Sequence, residues 1–175
     1  MKSASINEIK QELQGLPPKK VLELCLRLAR FKKENKDLLN YLLFEAHNQD
    51  GYIETIKNEM DEQFAELPTN SWYIAKKGLR KILRNISKYS KHTATKESEA
   101  EMLIHFCKNL KSSGIPVHQY KALSSLYEMQ LKKLHRLVQE VHEDLRFDFK
   151  KQIETLAWDE PMPVLGKLVR LVRGK

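Results

Sequence analysis

Apolar residues recur along this chain at helical spacing, and Pro, Gly or Ser/Asn clusters separate the runs. Ser5 with Glu8 three residues later reads as a capping box that opens a short first helix. In GLPPKK (15–20), Gly15 suits the helix end and the two prolines suit entry into the next helix. Residues 18–33 are apolar over a wide arc (Val21, Leu22, Leu24, Cys25, Leu28, Ala29), and residues 36–46 repeat the theme with Leu38, Leu39, Leu42, Leu43 and Phe44. Helices apolar beyond one stripe are usually central, so both segments are expected in the core.

After a turn at Asn48 to Gly51, Tyr52, Ile53, Ile56, Met60 and Phe64 predict another helix, which LPTNS at 67–71 ends. A basic helix then runs to about Tyr89. Thr93 to Ser98 reads as a polar link, with Ser98 and Glu101 forming a second capping box. Met102, Leu103, Phe106, Cys107 and Leu110 make a helical stripe, which Gly114 closes before Pro116 opens the last large segment. There Tyr127, Leu131, Leu134, Val138, Val141 and Leu145 follow a coiled-coil-like spacing, and the register slips between Leu145 and Phe149. No Val/Ile/Thr-rich alternation competes for a strand. The expectation is an all-α fold of about seven to eight helices, as a compact multi-helix bundle or a short irregular α-α array. Residues 1–160 are expected to form a single domain, with a basic amphipathic tail over 161–175.

Leu13, Leu16, Pro17 and Val21 fall on the pattern L-x-x-L-P-x-x-x-L, with Val in the last place, ahead of a long apolar helix. In this the first 45 or so residues resemble small uncharacterised all-α bacterial proteins. The resemblance implies a helical layout and no activity.

Charge changes the picture. The net charge of +8 is concentrated: residues 68–93 carry seven basic side chains and no acid, and residues 164–175 carry four and none. The remainder is slightly acidic, with 12 acids against 10 bases over 1–67 and 11 against 10 over 94–163. Focal charge of one sign points to an anionic partner. Lys76, Arg80, Arg84, Lys88 and Lys91 form one line on the predicted helix, Lys77 and Lys81 widen it, and Leu79, Ile82, Leu83, Ile86 and Tyr89 form the opposite stripe. Like charges at i,i+4 repel by a few tenths of a kcal/mol per pair, a cost that interleaved Glu would remove. Trp72, Tyr73 and Tyr89 border the row as candidates to stack on bases, with the core the expected place for Trp72.

The leading function is therefore a non-enzymatic helical module that engages RNA or a ribonucleoprotein through the basic helix. The alternative is a protein–protein scaffold in which Glu54, Asp61, Glu62 or Glu66 compensates the row. In the tail, Leu165, Leu168, Val169 and Val172 share a face apart from Lys167, Arg170 and Arg173. Docking on the body is expected of it, with a partner groove or an anionic membrane surface as alternatives.

Other chemistry finds no support in the sequence. The positions three before the six histidines hold Phe44, Tyr89, Met102, Ile115, Lys132 and Gln139, so no Glu-x-x-His pair exists for a di-iron site. His135 and His142 share a helix face in this reading but lie about 10.5 Å apart along the axis, too far for one zinc. No G-x-S-x-G and no glycine-rich phosphate loop occurs. No metal, cofactor or catalytic residue is expected. Cys25 and Cys107 sit among apolar neighbours and read as buried free thiols in a reducing cytoplasm. The polar N-terminus lacks a signal-peptide pattern, and no apolar run approaches the length of a membrane span.

Overall fold

The computed structural model describes residues 3–157, and every regular element among them is helical. Eight α-helices run α1 (Ile6–Gln14), α2 (Pro18–Phe31), α3 (Lys33–Asn40), α4 (Gln49–Ala65), α5 (Trp72–Thr93), α6 (Lys96–Ser112), α7 (Lys121–Glu140) and α8 (Glu143–Glu154). A π-helical turn at Tyr41–Glu45 and short 3-10 turns at Ala46–Asn48 and Val117–Gln119 complete the order. The expected all-α class is observed. The chain divides at His47/Asn48 into two units, where the sequence reading treats 1–160 as one domain.

In the first unit, α1 opens on the expected capping box: the Glu8 amide donates to Ser5 Oγ and the Ser5 amide to the Glu8 carboxylate. That amide and the Ser5 hydroxyl hold the Glu8 carboxyl below its usual pKa. Pro18 occupies the first position of α2, as the sequence suggests. The expectation that residues 18–46 lie in the core is overturned. No residue of α1, α2 or α3 is buried, and Tyr41 is the one buried residue of the unit's described part.

The second unit owns the core. Helix α6 packs against α4, α5, α7 and α8 and buries eight residues, with Met102, Phe106, Cys107 and Leu110 wholly enclosed. Its stripe is wider than the sequence reading, because Ile104 is buried as well. Ile53, Ile56, Met60 and Phe64 face it from α4, Leu79, Ile82 and Ile86 from α5, and Leu123, Tyr127, Leu134 and Val138 from α7. Fully burying a side chain of this size contributes about 1.5–3 kcal/mol. Polar links fix the helices sideways. Lys57 on α4 pairs with Glu101 on α6 at 2.6 Å. Burial pulls the Lys57 pKa down, and hydrogen bonds and charge from Glu101 and Glu54 outweigh it, so the net shift is upward.

Three local expectations change. Helix α6 starts two residues before Ser98: Thr95 is its N-cap, accepting from the Ser98 amide, and Gln49 Nε2 donates to both hydroxyls. The polar link therefore shrinks to Ala94 and Thr95. The long last segment breaks at Val141, whose backbone is extended, ahead of the expected slip at 145–149. His142 then caps α8, so it does not share a helix face with His135. Gly114 does close the α6 turn, in the left-handed region at φ 72.

Candidate functional site

Helix α5 carries the charge row, and its orientation follows from its apolar stripe. Ala75, Leu79, Ile82 and Ile86 are sealed against α6 and α4, which turns the opposite side to solvent. At 100° per residue, Lys77, Arg80, Lys81, Arg84 and Lys91 fall on that side, and all five are exposed. Lys76 and Lys88 lie half-buried at the flanks. The Lys76 ammonium sits 6.0 Å from the centre of the Trp72 ring, and that of Lys88 sits 5.4 Å from Tyr89. The structure thus brings the seven basic residues of the predicted row onto one helix, five of them facing outward.

No carboxylate among the described residues forms an ion pair with Lys76, Lys77, Arg80, Lys81, Arg84 or Lys91. Two of the acids on which compensation depends are engaged elsewhere. Glu54 pairs with Lys57 on its own helix. Asp61 meets His105 and Asn109 on α6. Glu62 and Glu66 pair with no described base.

The three aromatic candidates separate. Trp72 stacks on Tyr120 at the start of α7, with ring centres 5.1 Å apart. Tyr89 meets Tyr52 edge-on and donates to Glu59. Tyr73 is 68% exposed and lies on the same arc as Lys77, Arg80 and Arg84. Ile74 beside it is also exposed, a feature the sequence reading missed. Trp72 to Ala75 are all apolar or aromatic, so the first turn alone does not say which of them face the core. From Tyr73 to Lys91 the face runs about 27 Å.

This site is a surface, not a pocket. The groove between α4 and α5, lined by Ile56, Met60, Ile82 and Ile86, holds about 10 Å³, the size of a single water at most. The predicted tail contacts Lys167, Arg170 and Arg173 lie outside the described residues. Cys107 is enclosed, and burial pushes its thiol up to about 12, but Cys25 is exposed, against the expectation that both are buried. No helix among the described residues is long and apolar enough to cross a membrane. No protein-family model, curated protein or solved structure matches the chain.

Proposed function

We propose that this chain is a non-enzymatic RNA-binding adaptor that holds the phosphate backbone along the exposed face of α5. The observation that carries this reading is the row Lys77, Arg80, Lys81, Arg84 and Lys91, outward-facing and without an ion pair to any described acid. Cations repeating about every helical turn along one face can meet successive phosphates, and the counterions released on contact drive binding. Tyr73 stands at one end of the row as an open ring for a base, which favours single-stranded RNA and a sequence-tolerant mode. Function is expected in the cytoplasm, whose reducing conditions suit the free thiols of Cys25 and Cys107.

The test is a charge-removing variant that spares the fold. Lys77→Gln, Arg80→Gln and Arg84→Gln together should lower affinity for mixed single-stranded RNA at least tenfold at low salt. The unfolding midpoint should stay level or rise slightly, because the substitutions relieve like-charge repulsion at i,i+4. Unchanged RNA affinity in the folded triple variant would overturn the proposal. A parent that binds a protein but no RNA, with the triple variant keeping that protein contact, would point to the scaffold reading instead.

A further inference from the structure

Helix α2 sorts its residues around its axis. At 3.6 residues per turn, the apolar side chains sweep a continuous arc of about 220°, from Phe31 and Leu24 round to Leu22 and Leu26, and the charged ones fill the remainder. Val21 and Ala29, near the middle of the arc, are half-covered. Leu24, Leu28 and Phe31 form one flank and are 39%, 60% and 74% exposed. Large apolar side chains left open side by side mark an interaction surface rather than ordinary exterior.

The kind of partner follows from where the charges stand. Residues 18–33 carry six bases and one acid, and all seven are exposed. The acid, Glu23, lies opposite the middle of the apolar arc and pairs with Lys20 at 2.8 Å. The bases stand at the borders of the arc instead. Lys20 and Arg27 adjoin the Phe31 and Leu24 flank, Lys19 and Arg30 adjoin Leu26, and Lys32 and Lys33 follow Phe31 directly. Arg27, Arg30, Lys32 and Lys33 form no ion pair with a described acid.

Lys and Arg stems at the edge of an apolar face run along it and hold their charges in a polar layer beside it. The boundary of an anionic bilayer has that profile, with acyl chains on one side of a sheet of negative headgroups. An RNA would meet the cations and leave Leu24 and Leu28 in water. At 14 residues, about 21 Å, α2 is too short to cross a bilayer, so it can only lie along one. We propose that the first unit docks on anionic membrane surfaces, with α2 in the plane of the interface and Leu24, Leu28 and Phe31 entering the headgroup–acyl boundary. This inference uses a different surface from α5 and is independent of the RNA-binding reading.

The experiment is co-sedimentation of the full chain, freed of nucleic acid, with vesicles of equal parts phosphatidylglycerol and phosphatidylcholine. The parent should pellet with these vesicles, remain in solution with pure phosphatidylcholine, and bind more weakly as salt is raised. Leu24→Gln, Leu28→Gln and Phe31→Gln together should lower vesicle affinity at least tenfold, and so should Arg27→Gln, Lys32→Gln and Lys33→Gln together. The α5 variant Lys77→Gln/Arg80→Gln/Arg84→Gln should keep the parent's vesicle affinity, which separates this surface from the RNA site. Insertion is read without relying on loss of function. In a Cys25→Ser background, an environment-sensitive dye on Phe31→Cys should shift to the blue on adding the anionic vesicles, and the same dye on Glu23→Cys should not. A parent that stays in solution with anionic vesicles would overturn the proposal, even if it binds a protein through α2. So would vesicle binding that the α2 substitutions leave intact, or that the α5 variant abolishes.

Discussion

Trp72 stacks face to face on Tyr120, with ring planes inclined by 19° and centres 5.1 Å apart. The pair ties the first turn of α5 to the chain just before α7. Its neighbour Tyr73 is turned outward as a consequence, and the two adjacent aromatic residues should behave oppositely. Trp72→Ala should cost about 2 kcal/mol in urea unfolding, less than a fully buried Trp because its ring is only half covered. Tyr73→Ala should leave the unfolding midpoint nearly unchanged and weaken single-stranded RNA binding by about 1–3 kcal/mol. Equal effects of the two on stability would contradict this division of labour.

Helix α5 ends at Ala94, a non-glycine residue held in the left-handed region at φ 53. An L side chain there clashes with the following carbonyl, and glycine is the usual occupant. Ala94→Gly is therefore expected to raise stability by about 0.5–1 kcal/mol, and Ala94→Val to lower it, as read from thermal unfolding. A destabilised glycine variant would show that the turn is not strained.

The two cysteines should differ in reactivity. Burial disfavours the charged thiolate, which is why the Cys107 thiol is pushed up to about 12. Cys107 thus stays protonated at pH 8, and Cys25 is open to reagent. A disulfide-exchange reagent should titrate one thiol per native chain at pH 8 and two in denaturant. Cys25→Ser should abolish the native reaction.

Sequence patterning carried the fold class and several helix ends, because caps and breakers act locally: Ser5 with Glu8, Pro18 and Gly114 all sit where their chemistry places them. It also placed the basic row correctly on one helix, since the 3.6-residue period fixes which residues oppose a buried stripe. What it could not tell was which apolar surface is covered by which. Leu22 and Leu28 on α2 look more core-like than Ile104 on α6, yet Ile104 is buried and the two leucines are exposed. Apolarity records that a surface needs cover, and tertiary packing decides what supplies it. The pairing of Asp61 with His105 and Asn109, 44 and 48 residues away, was invisible for the same reason.

The central claim, that this face holds a phosphate backbone, is tested most directly by the salt dependence of RNA binding by the parent protein. Fluorescence anisotropy with a mixed single-stranded RNA should give a linear plot of log affinity against log salt concentration. Each phosphate neutralised contributes a slope of about −0.7, so five exposed cations predict about −3.5. Losing Lys77, Arg80 and Arg84 should flatten that to about −1.4. A parent with no measurable RNA affinity at low salt, or with a slope near zero, would contradict the account.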